Sequence, residues 1–92
     1  MTPEQEKFFY YVEKRAPFLL GLWDWEAREI LPEKVEQYLA SASHGEQVLA
    51  RFFAAVWLHR NHFDFDFLEA VKTLDLRNRE IITDWMHEPI WP

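Results

Sequence analysis

His59 and His62 stand three residues apart, with Asp64 and Asp66 just beyond, and these are the residues whose types and spacing come nearest to a metal centre. Zinc takes three or four such ligands, and two histidines at i and i+3 can supply a pair. A small metal-dependent hydrolase built on His59, His62 and Asp64 is one reading of this stretch. Against it, the pair straddles an expected helix end, and the H-E-x-x-H arrangement that adds a catalytic glutamate is absent. A simpler reading packs His59 beside Phe52 and Val56. It leaves His62 in the following turn, where the helix C-terminus favours a protonated imidazole. Asp64 and Asp66 have the types of an acid–base pair. Two carboxylates two apart in a turn are more often helix caps, and no polar cluster points to a substrate.

Other chemistry finds few residues to work with. There is no G-x-S-x-G, no phosphate loop and no dinucleotide fingerprint. With no cysteine, thiolate sites and disulfides are excluded, which suits a reducing cytoplasm. The expectation is a protein that is not an enzyme, with no cofactor and no metal site.

Sixteen acidic residues against ten basic ones give a formal charge of −6, the wrong sign for a nucleic-acid binder. A basic protein partner fits that sign. Asp24, Glu26, Glu29, Glu33 and Glu36 form the densest acidic run, offset by Arg28 and Lys34. A solvated helix face is the default explanation. An acidic surface that mimics phosphates, as in some phage antagonists of host nucleic-acid or defence enzymes, is the alternative. Arg77 and Arg79 are unfavourable near the start of the last expected helix. They pair with Asp75 or Glu80, or contact a partner. The opening MTPEQEKFF is too polar for a signal peptide, and the longest run free of acidic and basic residues (histidine counted as basic), Ala16 to Trp23, is too short to cross a bilayer.

The elements that must carry these residues are short and helical. Ser43 and Glu46 form an S-x-x-E capping box, and a helix over about 44–60 follows, with Asn61 as its left-handed stop. Val48, Leu49, Phe52, Phe53, Val56, Trp57 and Leu58 cover almost its whole circumference, as in a helix buried among others. Thr2, Pro3 and Gln5 open a first helix with Phe8, Phe9, Tyr11 and Val12 inward, and Pro17 closes it. A helix over 17–30 is expected from Leu19, Leu20, Trp23, Ala27 and Ile30 on one side, despite Gly21. Pro32 opens a third, with Val35, Tyr38 and Leu39 inward. FDFDF alternates like a strand but has no partner strand, so a loop is preferred, with Asp64 or Asp66 capping a short helix. Leu68, Val71 and Leu74 follow at helical spacing. Asp75 caps the last helix, which buries Ile81, Ile82, Trp85 and Met86. Residues 88–92 form an extended tail. The fold class is thus all-α: one domain over 1–92, a compact bundle of five or six short helices around a buried central helix.

Helix 17–30 would carry a second apolar stripe of Phe18, Leu22 and Trp25, flanked by Asp24, Glu26 and Glu29. Either the first helix covers it or it is exposed. An exposed aromatic stripe with a charged rim has the anatomy of an interface, with Trp25 as anchor. Phe18, Leu22, Trp25, Glu26 and Glu29 are therefore the candidate partner-binding residues, for a basic protein or a second copy of this chain.

Residues 45–87 resemble a group of small helical proteins from bacteria, phages and plasmids. They share a V-x-x-F helix, then F-D-hydrophobic, then L-D before a last helix. Here these are Val48 to Trp57, Phe65 to Leu68, and Leu74 with Asp75. The resemblance implies a helical fold and a mobile-element origin, and carries no site residues across. The functional expectation is a small cytoplasmic non-enzymatic domain that binds or regulates a protein, with no nucleic acid and no membrane.

Overall fold

Four helix starts are built on the side-chain caps that the sequence displays. The computed structural model describes residues Met1–Pro92. Helix α1, Pro3–Arg15, begins in a complete capping box: the Gln5 amide donates to Thr2 Oγ1 at 3.1 Å and the Thr2 amide to Gln5 Oε1 at 3.0 Å. It buries Phe8 and Val12 and ends before Pro17, with Lys14 and Arg15 at its negative end. Helix α2, Pro32–Ser41, has proline in its first turn, where the missing N–H costs nothing. Its Val35 is buried, with Tyr38 and Leu39 packed against the core.

Helix α3, His44–Leu58, starts in the second capping box, between Ser43 and Glu46. It contributes Val48, Leu49, Ala50, Phe52, Phe53, Ala54 and Val56 to the core, and no residue from Gly45 to Leu58 is exposed. Its left-handed stop is His59, at φ 57°, and not Asn61. The His59 amide donates to Val56 O and the Arg60 amide to Ala55 O, which closes the helix in a Schellman motif. Asn61 has a different task. Its side chain accepts from the Phe65 amide at 2.6 Å and donates to Phe65 O at 2.9 Å, closing the loop that follows.

Helices α4, Phe67–Thr73, and α5, Leu76–His87, are capped by Asp66 and Asp75, which accept from the Glu69 and Asn78 amides at 3.0 and 2.9 Å. FDFDF forms no strand: Phe63 is buried, Phe65 half-buried and Phe67 exposed. Helix α4 docks on α3 through Ala70, with Leu74 buried just beyond it. Leu68 and Val71, which stand with Leu74 at helical spacing, are exposed, because so short a helix presents only one narrow side to its neighbour. Ile81 and Ile82 of α5 are buried and Trp85 is half-buried, but Met86 faces outward. Two contacts tie α5 to α1: Tyr11 donates its hydroxyl to Ile81 O, and the Arg15 guanidinium meets Asp84 at 2.9 Å.

The expected helix over 17–30 does not form. A 3-10 helix, Pro17–Leu22, leads into a two-stranded antiparallel hairpin of β1, Trp23–Asp24, and β2, Glu29–Ile30. Trp23 pairs with Ile30 on the buried side and Asp24 with Glu29 on the exposed side, and the Leu31 amide extends the ladder to Leu22 O at 2.8 Å. Asp24 accepts from the Ala27 amide at 3.0 Å, a local bond that competes with helix formation. Arg28, at φ 58°, takes the left-handed conformation that turns the chain back. The chain is thus mostly helical, with six helices and one small sheet. Its Cα radius of gyration, 12.2 Å, matches the roughly 12 Å of a compact chain of this length.

Candidate functional site

The C-terminal end of α3, the loop after it, α5 and the tail converge on a cleft of about 300 Å³. Phe52, Ala55 and Val56 form its floor, Phe65 and Trp85 its walls, and Trp91 one edge, with His59, Arg60 and Asn61 at the mouth. Among the five main clefts it alone is lined mostly by apolar residues. Apolar walls with a few polar groups at the rim are what ligand and anchor sites look like.

Each wall is held by an identifiable bond. The two hydrogen bonds between Asn61 and the Phe65 backbone set the Phe65 ring 5.5 Å from the Phe52 ring. Trp85 meets Phe52 edge-on at 5.4 Å. Its indole N–H donates to Ile90 O at 3.1 Å, which fastens the tail. Trp91 then lies edge-on to Trp85 at 5.0 Å and to the His59 ring at 5.5 Å. These centroid spacings lie in the favourable range for aromatic pairs, so the cleft is shaped before anything enters it.

Of the candidate metal and partner-binding residues singled out in the sequence, only His59 lies at this cleft. His59 lines this cleft, whereas His62 and Asp64 line another with Glu36 and Arg51. His59, His62 and Asp64 therefore do not converge, and no group of three or more His, Asp and Glu is placed to hold a metal ion. His59 is exposed and packs on Trp91. Asp66 is a cap, and Asp64 sits at φ 58° in the loop.

The stripe of Phe18, Leu22 and Trp25 is dissolved by the hairpin. Leu22 is buried, Phe18 is exposed, and Trp25 is half-buried with its N–H donated to Leu20 O at 3.0 Å. Trp25 stacks on Trp23 at 5.0 Å and lies edge-on to Phe9 at 4.9 Å and Trp57 at 5.8 Å. Phe9 of the first helix packs on Trp25 while Phe18 is left exposed, so neither expectation describes the three residues together. Glu26 and Glu29 are exposed, as are Asp24, Glu33 and Glu36. Neither Arg77 nor Arg79 has an ion-pair partner.

Three hydroxyl or carboxyl groups have shifted proton affinities, and none lines the cleft. Burial raises Tyr11 and Tyr38 above the ordinary tyrosine value, with the Glu46 charge adding to the effect on Tyr38. Hydrogen bonds from the Ser43 side chain and then its backbone hold the Glu46 carboxyl below its ordinary value. Comparison with protein families, with curated proteins and with solved structures finds no match to this chain.

Proposed function

We propose that this chain is a small non-enzymatic protein-binding domain, and that its docking site is the cleft between the end of α3, α5 and the tail. The observation that carries this reading is the cleft lined by Phe52, Val56, Phe65, Trp85 and Trp91, in a molecule whose other main clefts are polar. A concave apolar site of this size takes one large side chain, and anchor side chains in such sites dominate many interfaces.

A display selection of random peptides against the immobilised chain tests the reading. Enriched peptides are expected to lose binding when Ala55→Arg fills the cleft and to keep it in Phe18→Ser, with both variants melting near the parent. Peptides that bind Ala55→Arg as well as the parent would place the docking site elsewhere.

The second reading, an acidic antagonist of a nucleic-acid or defence enzyme, draws on the exposure of Asp24, Glu26, Glu29, Glu33 and Glu36. Its partner would bind in a strongly salt-dependent way and compete with DNA or RNA. Neutralising Glu26, Glu29 and Glu33 together would abolish that binding and spare the cleft.

A further inference from the structure

We infer that the cleft selects a partner segment in which a large apolar side chain stands beside a carboxylate, with Arg60 as the group that reads the charge. This rests on the cleft being the docking site and goes further by naming what docks there.

The inventory of polar groups decides the matter. Asn61 commits one donor and one acceptor to the Phe65 backbone, the His59 ring packs on Trp91, and the only donor of Trp85 is engaged with Ile90 O. Arg60 is exposed and has no ion-pair partner, although the chain has six more acidic than basic residues. Trp91, 51 % exposed, forms an edge of the same cleft. Arg60 is the one permanently charged group that lines the cleft, and a guanidinium has donors and no acceptor, so the occupant it favours brings an anionic acceptor. A carboxylate beside the anchor supplies one, and its bonds to a guanidinium are of the stronger, charge-assisted kind.

The local field makes Arg60 decisive. The C-terminal end of α3 carries partial negative charge and, without Arg60, would repel an anion at this rim. A cleft meant for a neutral or basic anchor would need no cation there. The volume, about 300 Å³, is at the small end for ligand sites, which fits one side chain and its flanking group.

The test uses two small probes that differ only in charge, N-acetyltryptophan and its neutral amide, titrated into the isotope-labelled full chain and followed by nuclear magnetic resonance. Both should shift the amides of Arg60 and Asn61 and the indole signals of Trp85 and Trp91. The carboxylate should bind about threefold to fivefold tighter, the size expected of a solvent-exposed ion pair. Arg60→Gln should erase that preference and leave the amide's affinity unchanged. Equal binding of the two probes at the cleft would overturn the charge selection and leave the docking site standing. Shifts of neither probe at these residues would overturn both. The Arg60 side chain bonds to nothing in the fold, so the variant's spectrum is its own control for folding.

Discussion

Ser43 shows how much one side chain decides. Its hydroxyl accepts from the Glu46 amide and donates to the Glu46 carboxylate at 2.8 Å, while the Ser43 amide donates to the same carboxylate at 3.1 Å. Ser43→Ala should destabilise the fold by about 1 kcal/mol, the usual value of an N-cap. Ser41→Ala should cost less, because Ser41 makes only a 3.4 Å bond to Gln37 O. Chemical denaturation of both variants checks the difference. The same bonds hold the Glu46 carboxyl below its ordinary value. A folded-state value below the unfolded one gives stability that is present above the unfolded value and lost as pH falls through the folded one. The melting temperature should therefore drop in the acid range, and less steeply in Ser43→Ala. Caps at Thr2, Ser43, Asp66 and Asp75 were legible in the sequence because the acceptor and its amide lie three residues apart. The end of α3 was not. A left-handed Asn was the reasonable expectation there, but Asn61 was needed to brace Phe65, and the reversal fell to His59.

At the scale of elements, the segment 17–30 is where periodicity misled. Leu19, Trp23 and Ile30 fit a helical face, and Trp23, Asp24 and Trp25 also fit an alternating one. The hairpin wins because Trp23 and Ile30 can then both face the core, where Trp23 meets Phe8 at 5.6 Å and Trp57 at 6.1 Å. Such cross-strand and tertiary contacts are absent from a helical wheel. Two substitutions have opposite signs in the two structures. Arg28→Gly should stabilise by up to about 1 kcal/mol, because Gly adopts a positive φ without the side-chain penalty. In a helix it would cost a similar amount. Asp24→Ala should destabilise by about 1 kcal/mol through loss of the bond to the Ala27 amide. In a helix it would stabilise instead. Midpoints of thermal or denaturant unfolding decide between the two. A raised midpoint for Asp24→Ala with a lowered one for Arg28→Gly would restore the helix.

The whole molecule joins its core to its cleft through α3, and this is why the candidate site was hidden in the sequence. The cleft draws Phe52 and Val56 from α3, Phe65 from a loop, Trp85 from α5 and Trp91 from the tail, and no spacing rule links segments so far apart. The clue was Trp91 itself, an aromatic beyond Pro89 that a merely extended tail leaves unexplained. Phe52 faces both ways: it is 5 % exposed, touches Phe53 at 5.2 Å inside the core, and forms the floor of the cleft. Phe52→Ala should therefore cost about 3–5 kcal/mol, as expected for removing a buried aromatic from a close-packed interior. That is much of the stability of a domain this small. Trp91→Ala removes a half-exposed ring held by two edge contacts, so its cost should stay near 1 kcal/mol. It should nonetheless weaken probe binding at the cleft severalfold, because one edge of the cleft is lost. Melting curves and titrations of the two variants separate the roles. Trp91→Ala that melts as early as Phe52→Ala would make the tail part of the core. Trp91→Ala that keeps full affinity would remove the tail from the site. Between these outcomes lies the expected one, in which α3 holds the fold together and the tail finishes the surface on which it acts.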